Sequence, residues 1–176
     1  MPAPALVAIV SDTHGVLDSR IAERVARCDY AVHAGDIGAA TVLEALRPRL
    51  AVVAVTGNND VASKWMEVQR DVLAALPEEA RLALPGGDLV TVHGHRAGAA
   101  AARHIRLRRT YPDARAVVYG HSHRLSVDVD ADPWVLNPGA AGRSRTYGGP
   151  SCLILRAGAR SWRVEVVRFD PLPKGA

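Results

Sequence analysis

Ala5-Leu6-Val7-Ala8-Ile9-Val10-Ser11-Asp12-Thr13-His14-Gly15 begins with six apolar residues and then turns abruptly polar. An apolar run that short, closed by a glycine-containing loop, has the length of a strand buried on both faces and is too brief for a helix. Working outward, residues 20–27 place Ile21 and Val25, with Ala22 and Ala26, at helical spacing, and Asp18 or Ser19 can cap the start. Residues 30–33 then read as a strand, 39–46 as a helix and 50–55 as a strand. A β-α-β-α-β order implies parallel strands joined by right-handed crossovers.

The second half changes character. Residues 81–84 and 89–93 read as a hairpin about Pro85-Gly86-Gly87-Asp88, followed by a helix over about 97–109 and a buried strand at 116–119. From Leu125 the alternation Ser126-Val127-Asp128-Val129-Asp130 is that of antiparallel strands, continued at 134–136, 152–155 and 162–169. The expected architecture is α/β: two sheets of mixed parallel and antiparallel strands packed together with helices outside, in one domain spanning residues 1–176.

Composition agrees. The chain has 176 residues, 48% hydrophobic and 23% charged, which excludes a disordered or collagen-like chain. The longest apolar runs are too short to span a bilayer, and the first residues lack a basic, then apolar, leader pattern. These features predict a cytoplasmic protein without membrane partners. Cys28 and Cys152 form no CxxC and read as buried free thiols. The net charge of +4 raises the question of nucleic acid. The one dense basic patch, Arg103, Arg106, Arg108 and Arg109, suits an exposed helix face, and with aromatics at 5% there is little for bases to stack on. No specific nucleic-acid binding is expected. An exposed Trp65-Met66 is a candidate contact for a homo-oligomer.

Polar residues mapped onto these elements fall into a pattern. Asp12-Thr13-His14-Gly15 follows the first strand, Gly35-Asp36 the second, and Gly57-Asn58-Asn59-Asp60 the third; His93-Gly94-His95 and Gly120-His121-Ser122-His123 end two later ones. Loops at the carboxyl ends of strands converge in α/β sheets. Any one of these residues alone reads as an ordinary turn residue; five such loops together read as a site. Asp and His without thiolate suit Mn²⁺, Fe²⁺, Zn²⁺ or Ni²⁺ rather than a structural zinc. Seven candidate ligands exceed the needs of one ion and fit two, with a carboxylate such as Asp36 as bridge. Two ions about 3.5–4 Å apart lower the pKa of a shared water and neutralise phosphate, which is the chemistry of phosphate-ester hydrolysis.

Asp12-x-His14, Gly35-Asp36, Gly57-Asn58-x-Asp60, His93-Gly94-His95 and Gly120-His121-x-His123 resemble, in order, the motifs of calcineurin-like metallophosphoesterases. Asn137-Pro138-Gly139 is similar to a feature of the small bacterial and archaeal phosphodiesterase branch. The resemblance covers roughly residues 5–170 and implies an α/β/β/α sandwich. It further implies one metal on Asp12, His14, Asp36 and His123 and another on Asp36, Asn58, His93 and His121, Mn²⁺ being favoured. The implied reaction is attack of a metal-bridging hydroxide on a phosphodiester, with a small phosphate ester as substrate.

Many members of that family have Gly-Asn-His-Asp where this chain has Gly57-Asn58-Asn59-Asp60. Asn59 can hydrogen-bond to phosphate but cannot be a general acid. The small phosphodiesterase branch commonly lacks that histidine as well. Asn59, Asp60 and His95 are the catalytic candidates beside the metals, with Asp60 open to a turn role and His95 to a supporting one. Arg143 and Arg145 are candidates for holding substrate phosphate. His33 reads as a core residue and His104 as an exposed one. The alternatives are a phosphomonoesterase, a dinucleoside polyphosphate hydrolase, and a non-catalytic scaffold resembling the retromer subunit of this fold.

Overall fold

The computed structural model describes residues 3–171. Strands β1 (Ala5–Val10), β2 (Tyr30–His33) and β3 (Ala51–Ala54) are joined by helices α1 (Ser19–Val25) and α2 (Ala40–Ala45) and pair in parallel. Asp18 caps α1, its carboxylate accepting the Arg20 backbone N–H at 3.0 Å. A short 3₁₀ turn at Glu67–Gln69 leads into α3 (Arg70–Ala74), a helix too brief for its periodicity to show in the sequence.

The hairpin forms as β4 (Glu79–Leu84) and β5 (Gly87–Val92). Helix α4 (Ala100–Thr110) then crosses to β6 (Ala116–Val118), parallel to β5. Strands β7 (Ser126–Asp128), β8 (Trp134–Asn137), β9 (Ser151–Ala157) and β10 (Trp162–Arg168) complete the chain. One sheet runs β10-β9-β1-β2-β3 and the other β4-β5-β6-β8-β7. The sheets therefore do not divide the chain into a parallel and an antiparallel half. Strands β9 and β10 return to the edge of β1, and β8 lies parallel to β6 where the alternation pattern had suggested antiparallel pairing. Strand direction is set by the connection, which the alternation of side chains does not encode.

Alternation does fix the layers. Val7 and Ile9 of β1 join Val32, Leu89, Val118, Leu136, Leu153 and Leu155 in the core between the sheets. Ala8 and Val10 face the other way, against Ile21 and Val25 of α1, with Cys28, Cys152 and Ile154. Val90 and Val117 cover the outer face of the second sheet under Leu107 of α4. The order is helix, sheet, sheet, helix. Both cysteines are free and buried, as expected.

Three surface expectations are corrected. Trp65 is 3% exposed, packed with Ile37 and Val42 and donating its indole N–H to Asp60, so only Met66 is presented to solvent. Arg103 is buried, its guanidinium lying over the Tyr119 ring and donating to the Gly98 carbonyl. His104 is tied between Asp128 at 2.7 Å and the Tyr119 hydroxyl at 2.9 Å. The partners Ile37, Val42, Tyr119 and Asp128 are distant along the chain, outside the local window that periodicity reads. No helix among the described residues is long and apolar enough to cross a membrane.

Candidate metal centre

The loops after β1 and β2 run side by side. The N–H groups of Asp12, His14 and Gly15 donate to the carbonyls of Gly35, Asp36 and Ile37 at 3.0, 2.9 and 2.7 Å. Fully buried His33 locks this pair from below: its Nε2 meets the Thr13 hydroxyl at 2.9 Å, and that hydroxyl donates to Ile37 O. Burial pushes the His33 imidazole down to about 4, so it stays neutral. Two glycines allow the remaining loops to close in. A Cβ at Gly57 would overlap the Asp36 carboxylate, and one at Gly120 would crowd Ser11 and Asp12.

Among the described residues seven that are not glycine adopt a left-handed backbone: Asp12, His14, Asp36, His121, His123, Arg145 and Tyr147. The first five are all expected ligands, and Arg145 is an expected phosphate contact. Side chains pay for this conformation in strain, and such strain clusters where function fixes the geometry.

The structure brings the seven expected ligands together. Asp12, His14 and His123 form one group, and Asp12, Asp36 and His93 another, with candidate donor atoms within 4.8 Å of one another in each. His14 Nε2 lies 3.1 Å from His123 Nε2 and 3.8 Å from Asp36 Oδ2. His93 Nε2 lies 3.4 Å from Asp36 Oδ1, so the Asp36 carboxylate faces both groups. Asn58 Oδ1 is 3.1 Å from both His93 Nε2 and His121 Nδ1. Ring orientation follows from backbone partners. His93 Nδ1 is 2.7 Å from Ala34 O and His123 Nδ1 is 3.2 Å from Ser144 O. A carbonyl only accepts, so both rings carry their proton on Nδ1 and turn Nε2 inward.

These residues fit divalent metal ions. Asp12 Oδ2 is buried without a hydrogen-bond partner, and burial pushes the Asp12 carboxyl up to about 7. For Asp36, burial opposes the charge but is outweighed by His93 and by the Asn59 donors, which hold it well below the usual carboxylate range. An array of inward imidazole nitrogens and two carboxylates, one with an oxygen left unpaired, is a hard to borderline donor set without sulfur.

The remaining candidates occupy different positions. Asn59 donates to both Asp36 oxygens, from its backbone N–H at 2.8 Å and from Nδ2 at 2.7 Å, while Lys64 donates to its Oδ1. Asp60 accepts from the N–H groups of Ile37, Gly38 and Gly57 and from Trp65, which knits the loops after β2 and β3. The His95 ring centre is 5.5 Å from that of His93 and 6.3 Å from that of His121. Arg145 Nη2 reaches His123 Nε2 at 3.1 Å, and Arg143 lies exposed on the same loop. The sequence carries no signal for Lys64 in this role, since a single lysine beyond a motif forms no pattern.

Two convergent His/Asp clusters at the carboxyl ends of strands in a two-sheet sandwich define a metal-binding α/β protein of the phosphoesterase type. The family model for the calcineurin-like phosphoesterase superfamily domain matches residues 6–160, and the chain belongs to that superfamily. It is 26% identical over 140 residues to a probable metallophosphoesterase of Methanocaldococcus jannaschii, covering 77% of this chain and 67% of that protein. Among solved structures, a predicted phosphoesterase of Streptococcus pneumoniae superposes with a TM-score of 0.72 at 22% identity, covering 99% of this chain and 96% of that one. Zinc-complexed Vps29 of Entamoeba histolytica gives 0.67 at 20% identity, covering 94% and 98%. An archaeal phosphodiesterase gives 0.63 at 24% identity, covering 92% and 99%.

Proposed function

We propose that this protein is a phosphodiesterase using two divalent metal ions, Mn²⁺ favoured. The observation that carries the reading is the Asp36 carboxylate facing both histidine groups, with His93 Nε2 against its Oδ1 and His14 Nε2 against its Oδ2. His14, His123 and Asp12 would hold one ion and His93, His121 and Asn58 the other, with Asp36 shared. Bound metals would supply an activated water and neutralise phosphate charge.

The chain's own groups do the rest. Ala34 O and Ser144 O fix the ring protons of His93 and His123 away from the site. Asn59 clasps both oxygens of Asp36 and so sets the plane of that carboxylate. Asp60 holds the loops after β2 and β3 in register, acting on the site through backbone position. Arg145, beside His123, would take a phosphate oxygen, with Arg143 on the same loop as a further cation. His95, next to His93 and His121, is the candidate to meet the leaving group. The absence of a histidine at position 59 favours diesters over monoesters, and a structural neighbour is itself an archaeal phosphodiesterase.

The test is hydrolysis of bis-p-nitrophenyl phosphate beside p-nitrophenyl phosphate by chelator-stripped protein with Mn²⁺, Ni²⁺, Fe²⁺ or Zn²⁺ restored singly. Diesterase activity that returns with metal and is lost in Asp36→Asn is the expected result. A folded protein inactive with every metal would overturn the reading in favour of a scaffold.

A further inference from the structure

At the amino-terminal end of β1 lies a pocket of about 290 Å³, lined by Pro4, the turn between β9 and β10, and the arginines Arg156, Arg160 and Arg163. The metal loops leave the other end of β1, six residues or about 20 Å further along the strand. The turn beside the pocket is firmly held. Gly158 N–H donates to Ser161 O at 3.0 Å, and buried Trp162 donates its indole N–H to Pro85 O at 2.7 Å.

Two features are not accounted for by folding. Arg156 and Arg163 are direct partners in the ladder of β9 and β10, so two like charges share one face, an arrangement that destabilises a sheet. In addition, none of the three guanidiniums has an ion pair or a hydrogen bond among the described residues, and no carboxylate lines the pocket. The neighbouring acidic groups are already engaged. Glu165, two residues from Arg163 on the same face, takes Arg24 at 2.6 Å. Asp29, which accepts the Leu6 N–H, takes Arg49 at 3.6 Å.

We infer that this pocket binds an oligophosphate, a chain of two or three phosphoryl groups, either free or carried by a nucleotide. Guanidinium forks match phosphate oxygens bidentately, and three of them converge here on one hollow. An oligophosphate supplies a negative charge for each fork, where a single phosphoryl group carries about two at most. The bound anion also cancels the repulsion between Arg156 and Arg163. The pocket stands apart from the metal centre, so the inference does not rest on the phosphodiesterase reading.

Titration calorimetry of tripolyphosphate into the metal-stripped protein tests it, the metal being removed because tripolyphosphate itself binds divalent ions. One site per chain is expected, with an affinity about tenfold above that for orthophosphate at equal ionic strength. Arg156→Gln combined with Arg163→Gln should lower that affinity about tenfold or more. Arg106→Gln combined with Arg109→Gln, an equal loss of charge at exposed positions of α4, should change it less than about twofold. Without ligand, the Arg156 and Arg163 double variant should melt no lower than wild type, and tripolyphosphate should raise Tm of the wild type alone. ATP bound as tightly as tripolyphosphate would assign the pocket to a nucleotide's phosphates, and much weaker ATP binding to the free chain. Equal losses in the two double variants would reduce the site to diffuse surface charge and overturn the inference. So would loss of binding in Arg145→Gln, which would move the ligand to the metal loops, or no binding by the folded wild type.

Discussion

Asn59 and Arg145 show how single side chains prepare this centre. Asn59 spends its amide on Asp36 rather than on open solvent, and removing such a support from a metal ligand costs roughly 10–100-fold in affinity. Asn59→Ala is expected to weaken Mn²⁺ binding about tenfold by calorimetry, with the fold intact by circular dichroism. An unchanged affinity would mean that the backbone N–H of residue 59 orients Asp36 unaided. Arg145 acts in the opposite sense. Its guanidinium occupies the Nε2 side of His123, the atom a metal would need, and burial first and Arg145 second push that imidazole down to about 4. A cation there competes with a cation bound by His123, at a cost on the order of 1 kcal/mol for an exposed group. Arg145→Gln should therefore tighten Mn²⁺ binding several-fold while raising KM for a diester. Looser metal binding in that variant would instead make Arg145 a support for His123. The candidate ligands were legible from sequence because Asp and His concentrate at strand ends. The Arg145–His123 contact was not, because it joins residues 22 apart across β7, β8 and the loop that follows them, a tertiary contact with no periodicity.

At the scale of elements, α1 carries the loop after β1 into place, and Asp18 holds its start. Asp18 is 3% exposed and accepts from the Arg20 backbone and, at 2.9 and 2.8 Å, from its guanidinium. That side-chain hydrogen bond from Arg20 is the main cause holding the carboxyl below its ordinary value, with burial opposing it. A depressed folded-state pKa stabilises the fold at every pH above the unfolded value of about 3.9, and the contribution is lost as pH falls through the folded value. Asp18→Ala is expected to cost about 1 kcal/mol at neutral pH through loss of the cap. Asp18→Asn keeps a capping oxygen and should cost less, but its stability should fall less steeply than wild type below about pH 4. Parallel acid limbs in urea titrations of the wild type and Asp18→Asn would remove the ion pair from the account. Element placement was otherwise readable to within a few residues where apolar spacing was regular, as in β1, β2 and α1. It failed for α3 and for the direction of β8, where a single turn of helix and a tertiary connection leave no local pattern.

For the whole molecule, the centre is a tie between the two sheets. Asp12 and Asp36 come from the ends of β1 and β2 in one sheet, His93 and His121 from the ends of β5 and β6 in the other. Between them Asp12 and Asp36 bring two carboxylates into one group of candidate ligands with little solvent. Metal binding to the folded chain alone must stabilise it by mass action, about 2.7 kcal/mol at a free concentration 100 times Kd. For a chain of this size each kcal/mol moves Tm by about 2–4 °C, so saturating Mn²⁺ is expected to raise Tm by about 5–10 °C and chelator to reverse it. Because Asp36 is the carboxylate facing both histidine groups, Asp36→Asn should lose most of that rise. Its melting temperature in chelator should stay near that of the stripped wild type, since the amide oxygen still accepts one of the two Asn59 donors and loss of the charge relieves repulsion with Asp12, offsetting the other. Scanning calorimetry of both proteins with and without Mn²⁺ reads all four states. A metal-induced rise of equal size in Asp36→Asn would place the ions away from the sheet junction, and the proposed bridging role with it.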